Sequence, residues 1–449
     1  MKKIIYLLVF AVISCGSPKV APVNYVLFSG NIENPVGETA TVIGNEYTAE
    51  FLLNEKGYFS DTLYIAAAGF YSFATGRESS VIYLNPGDSI HVSLNTNEFD
   101  ETINYIGKGA EKNNYLAKKY MESELNGPSF DTFFALGEDE FMTLNNQLHT
   151  SEIDLLMASQ LTDEQFVEAE KKALKYDFLV NISNYKEYHI YLSKDMDFEV
   201  SPEFYNKLQG FDYNNEEDYN DYASYRKIVA NHYIKSIETE EELQSTFAAI
   251  NMIESEEIKN DLLNNFRYSF SPAHPELDTF YKLLMETSTD TAFEAALSAK
   301  YDIIKDLTPG NTSPSFNYPD RNGNEVSLED LRGKYVYVDV WATWCGPCKR
   351  EIPSLKELTA EFKGKDIAFV SISIDERKDY DKWTAMLDEK EMEGIQIFAD
   401  NDWKSDFVKA YNIQGIPRFI LIDKEGVIIS ADADRPSNPA LKETLNSLL

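Results

Sequence analysis

The chain has 449 residues, 43% hydrophobic and 26% charged, with a formal net charge of -34 and three cysteines. It is too long for one ordinary domain, and its composition is globular rather than disordered. The charge excludes a nucleic-acid binder, which needs clustered Lys and Arg, and argues equally against adhesion to an anionic membrane surface.

The charge is uneven. Ser313 to Leu449 holds 18 Lys and Arg against 25 Asp and Glu, a net of -7, which leaves -27 for the residues before it. That surplus reads as solvated surface, and no stretch has the spacing of a calcium loop. Three cysteines are too few for a disulfide scaffold or a four-ligand zinc site. All five histidines (His91, His149, His189, His232 and His274) precede the C-terminal segment. No metal or cofactor is expected.

The first residues read as an address. Lys2 and Lys3 precede an apolar run from Ile4 to Ile13, followed by Ser14-Cys15-Gly16. A run of ten is too short to span a bilayer, which takes about 20 residues as helix, but it suits a signal peptide. Val12-Ile13-Ser14-Cys15 resembles the lipobox of bacterial lipoproteins. The resemblance implies a signal peptide over residues 1–15, cleaved before Cys15, which would then carry lipid and take no part in redox chemistry. The residues after it carry no acidic cluster, so the expectation is a lipid-anchored, periplasm-facing protein of the cell envelope. An ordinary signal peptide with a chance cysteine is the alternative.

Residues 24–110 read as short strands between turns: Tyr25 to Phe28, Thr41 to Ile43, Phe51 to Leu53, Thr62 to Ile65, Val81 to Leu84 and Ile90 to Val92. This spacing predicts an all-β sandwich or small barrel. The text from Tyr83 to Leu94 and from Ile106 to Leu116 resembles a β domain of unknown function that precedes thioredoxin-like domains in Bacteroidetes lipoproteins. Residues 111–307 turn to helical period, a central all-α region. Thr162 with Gln165 and Thr239 with Glu242 suggest capping boxes, and Ser201-Pro202 and His274-Pro275 suggest helix starts. Tyr219, Tyr222, Tyr225 and Tyr233 read as core and helix contacts rather than an aromatic-lined groove. Asp306 to Pro314 reads as a linker.

The last stretch, 308–449, carries the chemistry. Tyr335 to Trp341 is a buried strand by its β-branched and aromatic content. Cys345-Gly346-Pro347-Cys348 follows, and Ile352, Leu355 and Leu358 then recur at helical spacing. Two cysteines thus stand where a strand hands over to a helix, whose free amides and dipole favour a thiolate. The spacing lets Cys348 reach the sulfur of Cys345 and resolve a mixed disulfide. A lone pair of this spacing can also be half a zinc site, but the second half is missing.

The run Val338 to Cys348 resembles the thioredoxin superfamily, and Lys349-Arg350-Glu351-Ile352-Pro353 resembles its bacterial TlpA/ResA-type branch. The resemblance implies a C-terminal α/β thioredoxin fold and a protein-disulfide reductase with Cys345 and Cys348 as its redox disulfide. It further implies Asp339 as the buried acid that handles the proton of the second cysteine, and Glu351 as a second acid near the pair. A solvated helix residue is an equally simple reading of Glu351. Trp344, Ile416 and Pro417 would face the substrate, with Pro417 in the cis-proline loop. Strands are expected over Ile367 to Ile374, Gly394 to Phe398, Phe419 to Ile422 and Val427 to Ser430. Helices are expected over Asp379 to Leu387, Trp403 to Tyr411 and Asn438 to Leu449, giving a mixed sheet between helices.

The implied partners are a protein dithiol or disulfide client, a membrane electron donor and the membrane itself through the lipid. Gly346-Pro347 between the cysteines resembles thioredoxin itself, a reductant, and Ile416 before the proline agrees, so the resemblance implies a reductase. A disulfide oxidant or isomerase is the alternative, as is a binding lipoprotein whose N-terminal regions recruit a client. A peroxidatic cysteine wants Thr or Ser three residues before it and Pro four residues earlier still, where this chain has Ala342 and Val338.

Overall fold

A computed structural model describes residues 23–44, 47–234, 237, 239–267 and 269–449. The lipobox-like run with Cys15 lies outside the described residues. The three-part architecture is present: a β-rich N-terminal region, a central helical region and a C-terminal α/β domain. The chain divides into two compact units. One takes in residues up to Asp212 with Glu217–Val229, and the other Tyr213–Glu216 with Ala230–Leu449.

The first unit opens with eight strands: β1 (Tyr25–Glu33), β2 (Thr39–Gly44), β3 (Tyr47–Leu52), β4 (Tyr58–Tyr64), β5 (Gly69–Thr75), β6 (Glu78–Leu84), β7 (Ser89–Asn95) and β8 (Asn104–Lys108). They form two four-stranded sheets, ordered β4-β1-β7-β8 and β3-β2-β5-β6. Period-two alternation buries one face of each, as in a sandwich. Phe28 sits in the shared core, 5.6 to 5.9 Å from the rings of Phe51, Phe59 and Phe73. Gly30 is needed beside it, because a Cβ there would lie 2.5 Å from the Phe59 ring.

Neither β5 nor β8 is among the strands read from sequence. In β5 (GFYSFAT) the alternation is muted, because its outward Phe70 is itself packed against the Phe166 ring of the helix Glu164–Ser193. The helix Ala110–Asn126 closes both outer strands with consecutive residues. Asn113 accepts from the Tyr83 N–H of β6 and donates to the Tyr83 carbonyl, and Asn114 does the same for Tyr105 of β8. Paired this way, the edge amides are no longer templates for another strand.

Among the helices, the Thr239–Glu242 capping box is present. The Thr162–Gln165 one is not: Asp163 caps instead, its carboxylate accepting from Phe166 N–H. An anionic acceptor at a helix N-terminus is favoured by the dipole, and Lys112 and Asn85 hold this one in place. Pro202 opens only a 3-10 turn, Phe204–Leu208, while the helix Leu277–Thr287 begins two residues after Pro275. Tyr219, Tyr222 and Tyr225 are buried, as core residues should be.

In the second unit, the helices Glu240–Asn251, Glu256–Phe266, Leu277–Thr287 and Thr291–Ile304 precede the α/β domain. That domain begins with a hairpin, β9 (Asn317–Pro319) and β10 (Glu325–Ser327). Its sheet comprises β11 (Tyr335–Trp341), β12 (Ile367–Ser373), β13 (Ile395–Phe398), β14 (Arg418–Ile422) and β15 (Ile428–Ser430), in the order β13-β12-β11-β14-β15. β12 runs parallel to both its neighbours, whereas β14 is antiparallel to β11 and β15. This is the mixed sheet expected.

Two details differ from the sequence reading. The expected helix from Trp403 to Tyr411 is broken at Ser405, whose extended backbone separates a turn at Asp402–Lys404 from the short helix Asp406–Ala410. The compositional linker is stitched to the sheet: Gly310 N–H donates to the Ile428 carbonyl, Ile428 N–H to Asn311, and Ser313 N–H to Gly426. Its extended Pro- and Thr-rich text serves as a partner for a short edge strand. A second bridge, Asp320 to Ile397, meets β13 on the far side of the sheet.

Candidate active site

β11 is the central strand, and its side chains are buried on both faces. It delivers the chain to the first turn of the helix Gly346–Glu361. Cys345 is the N-cap of that helix, and Pro347 occupies a first-turn position where its missing N–H costs least. Cys345 and Cys348 form a disulfide, with their Cα atoms 5.3 Å apart. The Cys345 sulfur accepts the Cys348 backbone N–H at 3.1 Å. An N–H aimed at sulfur from a helix N-terminus is the arrangement that stabilises a thiolate once the disulfide is opened.

The Ile416–Pro417 peptide bond is cis, and the Ile416 carbonyl oxygen lies 3.8 Å from the Cys345 sulfur. The loop before β14 therefore faces the pair. Both cysteines are nearly covered, at 4% and 3% exposure.

Asp339 lies on β11, level with Ser371 of β12 and Phe419 of β14. Burial pushes its carboxyl up to about 7; the Glu351 charge adds to the rise, and a Ser371 hydrogen bond opposes it. A carboxyl poised near neutrality can hold or release a proton under physiological conditions. Glu351 is buried too, and it is not the solvated residue of the simpler reading. Its carboxylate accepts the Ser437 N–H and hydroxyl, both at 3.0 Å, which ties the helix to the start of the C-terminal helix Pro439–Leu448.

Of the four tryptophans, Trp341 and Trp383 are buried. Trp344 is 51% exposed beside the pair, and its ring lies 6.2 Å from that of Trp403, itself 37% exposed. Trp344 belongs to the expected set, but Trp403 does not, since nothing in the sequence links two segments so far apart.

Asp375 is the other residue missed. Completely buried, it accepts the Thr343 backbone N–H at 2.9 Å, the Thr343 hydroxyl at 2.7 Å and the Ser373 hydroxyl at 2.8 Å. It thereby clamps the turn two residues before Cys345. Only the strand register reveals it: Trp341 pairs with Ser373 across parallel strands, so an acid two residues past Ser373 falls level with Thr343. Among the described residues, no group of three or more His, Cys, Asp or Glu could hold a metal ion, and no helix is long and apolar enough to cross a membrane.

A family model described as Redoxin matches residues 308–448. The thiol-disulfide oxidoreductase ResA of Bacillus subtilis is 26% identical over 156 residues, covering 35% of this chain and 82% of that protein. ResA of Geobacillus kaustophilus is 33% identical over 120 residues, covering 26% and 66%. Among solved structures, the thioredoxin domain of a thiol-disulfide oxidoreductase from Bacteroides vulgatus is 33% identical. That match covers 31% of this chain and 97% of that one, with a TM-score of 0.29.

Proposed function

This chain belongs to the thioredoxin-like thiol-disulfide oxidoreductases of the TlpA/ResA type, and from that premise we propose that its Cys345–Cys348 pair reduces disulfide bonds in protein clients. The observation that carries the reading is the Cys345 sulfur, which caps a helix and accepts the Cys348 N–H beside the Ile416 carbonyl.

In the reducing direction the chain starts as a dithiol. The Cys345 thiolate attacks one sulfur of the client disulfide, whose S–S bond breaks, and the other client sulfur leaves as a thiolate. Cys345 is now joined to the client. Cys348 loses its proton to Asp339 and attacks the Cys345 sulfur, expelling the second client sulfur as a thiolate. Two electrons have passed to the client, and the chain holds the Cys345–Cys348 disulfide. An extended client segment would pair with the backbone at Ile416 and rest against Trp344 while this happens. A dithiol donor in the membrane would return the electrons. Lipid on Cys15 would hold the protein in the envelope, facing the periplasm, as the basic start and short apolar run of the leader suggest.

The direction is tested by the reduction potential of the pair, equilibrated in glutathione or dithiothreitol buffers. A value near that of thioredoxin, about -270 mV, supports a reductase, whereas one near that of a strong oxidant, about -120 mV, would reverse the direction of electron flow.

A further inference from the structure

The N-terminal sandwich uses its two outer faces differently. The sheet β3-β2-β5-β6 turns Phe70 and Tyr83 toward helices of the same unit, where they meet Phe166 at 6.4 and 5.0 Å and Phe70 meets Tyr222 at 6.0 Å. Among the described residues, nothing covers the outer face of the sheet β4-β1-β7-β8, whose Tyr25, Leu27, Ser60, Tyr64 and Ile106 are exposed. In a chain with 26% charged residues, the outward positions on these four strands carry charge only at Glu33 and Lys108, both at strand ends. The remainder are chiefly Ser, Thr, Asn and Tyr, with two aliphatic residues.

Tyr25, Leu27 (47% exposed) and Tyr64 (68%) stand together at one end of that face with Val23, while Ile106 (58%) lies in the middle, opposite His91, and Tyr58 (42%) nearer the other end. Tyr25 and Tyr64 are directly opposed across β1 and β4, with rings 6.4 Å apart. The chain enters at that same corner, where Asn24 and Tyr25 accept backbone hydrogen bonds from Ile65 and Gly87. Cys15 lies eight residues before Val23. Fully extended, those residues span at most about 29 Å.

We propose that this open face docks on the surface of a zwitterionic lipid bilayer, which puts β1 and β4 against the headgroups. The inference rests on the lipid-anchor reading of Cys15. A short tether leaving from the apolar corner brings that corner to the bilayer before any other part of the unit. Tyrosine rings suit the bilayer interface, where an apolar body and a polar tip are both accommodated. Uncharged Ser, Thr and Asn lose little on meeting headgroups, whereas the chain as a whole, at -34, would be repelled by an anionic surface. A weak face of this kind supplements an acyl anchor rather than replacing it.

The test uses the full lipidated chain, oxidised so that Cys345 and Cys348 take no label, in phosphatidylcholine and phosphatidylethanolamine vesicles. A nitroxide is attached through Ser60→Cys on the open face or Glu50→Cys on the opposite sheet. The expected result is a several-fold lower collision rate with a water-soluble nickel chelate at position 60 than at position 50, with the difference abolished by Leu27→Glu with Tyr64→Glu. Equal rates in protein whose intact mass shows acyl chains on Cys15 would overturn the docking face alone. An intact mass without acyl chains would overturn the anchor and the docking face together. Protection at position 60 that appears only with soluble peptidoglycan fragments would assign the face to an envelope polymer and overturn the bilayer.

Discussion

Thr343 gives both its backbone N–H and its hydroxyl to Asp375, at 2.9 and 2.7 Å, so a buried carboxylate fixes the turn that presents Cys345. Hydrogen bonds to a buried charge are worth about 1.5–3 kcal/mol each, and a small misplacement of a reacting group can cost orders of magnitude in rate. Asp375→Asn should retain the fold, lose about 2–3 kcal/mol of stability and reduce client disulfides at least about tenfold more slowly. Denaturant unfolding and the pH profile of Cys345 alkylation in the reduced protein check this. Wild-type values in both would mean that the clamp has no bearing on the cysteine.

Asp339 holds its proton more tightly in the folded chain, near pH 7, than at its ordinary value of 3.8. The folded state therefore binds more protons between those limits. The stability this lends is complete below about pH 4 and is lost as the pH rises through about 7, a change of up to about 4 kcal/mol. Asp339→Asn, which mimics the neutral acid at every pH, should match wild type in thermal unfolding at pH 4 and exceed it at pH 8. Its turnover should fall by about 100-fold or more if the carboxylate takes the proton of Cys348. A stability gap that does not change with pH would count against a raised carboxyl.

The Glu351 charge contributes to the rise at Asp339, although burial contributes more. Glu351→Gln removes the charge and keeps partners for Ser437. The acid limb of the pH–rate profile should move down by less than about one pH unit. A limb that moves upward would show that Glu351 acts otherwise.

The two exposed tryptophans should matter to large partners and not to small ones. Trp344→Ala and Trp403→Ala each remove an aromatic face from the rim of the site, and such faces dominate recognition energies. KM for a disulfide-bonded protein client should rise by about tenfold, with reduction of a small aromatic disulfide unchanged. Equal losses on both substrates would point to disturbed chemistry instead of lost recognition.

The two cysteines have different tasks, and their replacements should separate them. Cys348→Ser should accumulate a covalent client adduct visible on non-reducing gels, because nothing remains to resolve it. Cys345→Ser should accumulate none. An adduct on Cys348 of the Cys345→Ser protein would reverse the order of attack.

Much of this site is legible in the sequence alone, because its signals are local. A buried strand, a two-cysteine turn and a helix start are adjacent in the chain, so Cys345 and Cys348 follow from one short stretch of text. Asp339 and Pro417 are legible by resemblance. Trp403 and Asp375 are not, since they reach the site only through the turn before the helix Asp406–Ala410 and through the register of β12 on β11. The same limit applies to the sandwich. Strands with clean alternation, such as β1, can be read from sequence, whereas β5 cannot, because its outer side is buried under helices. At Thr162 the sequence rule for capping favours the hydroxyl, but the neighbouring carboxylate, tied to Lys112, is the better acceptor.

The segment ahead of β11 meets both flanks of the central sheet, at Thr312 beside β15 and at Asp320 beside β13. Unsatisfied edge amides invite strands from other molecules, and a lipid tether would crowd many copies into one plane. With these flanks occupied from within, each copy is guarded against annealing to its neighbour. A fragment made by cutting after Pro314 would lose the guard on one side, so a soluble version of the redox domain should begin before Thr308.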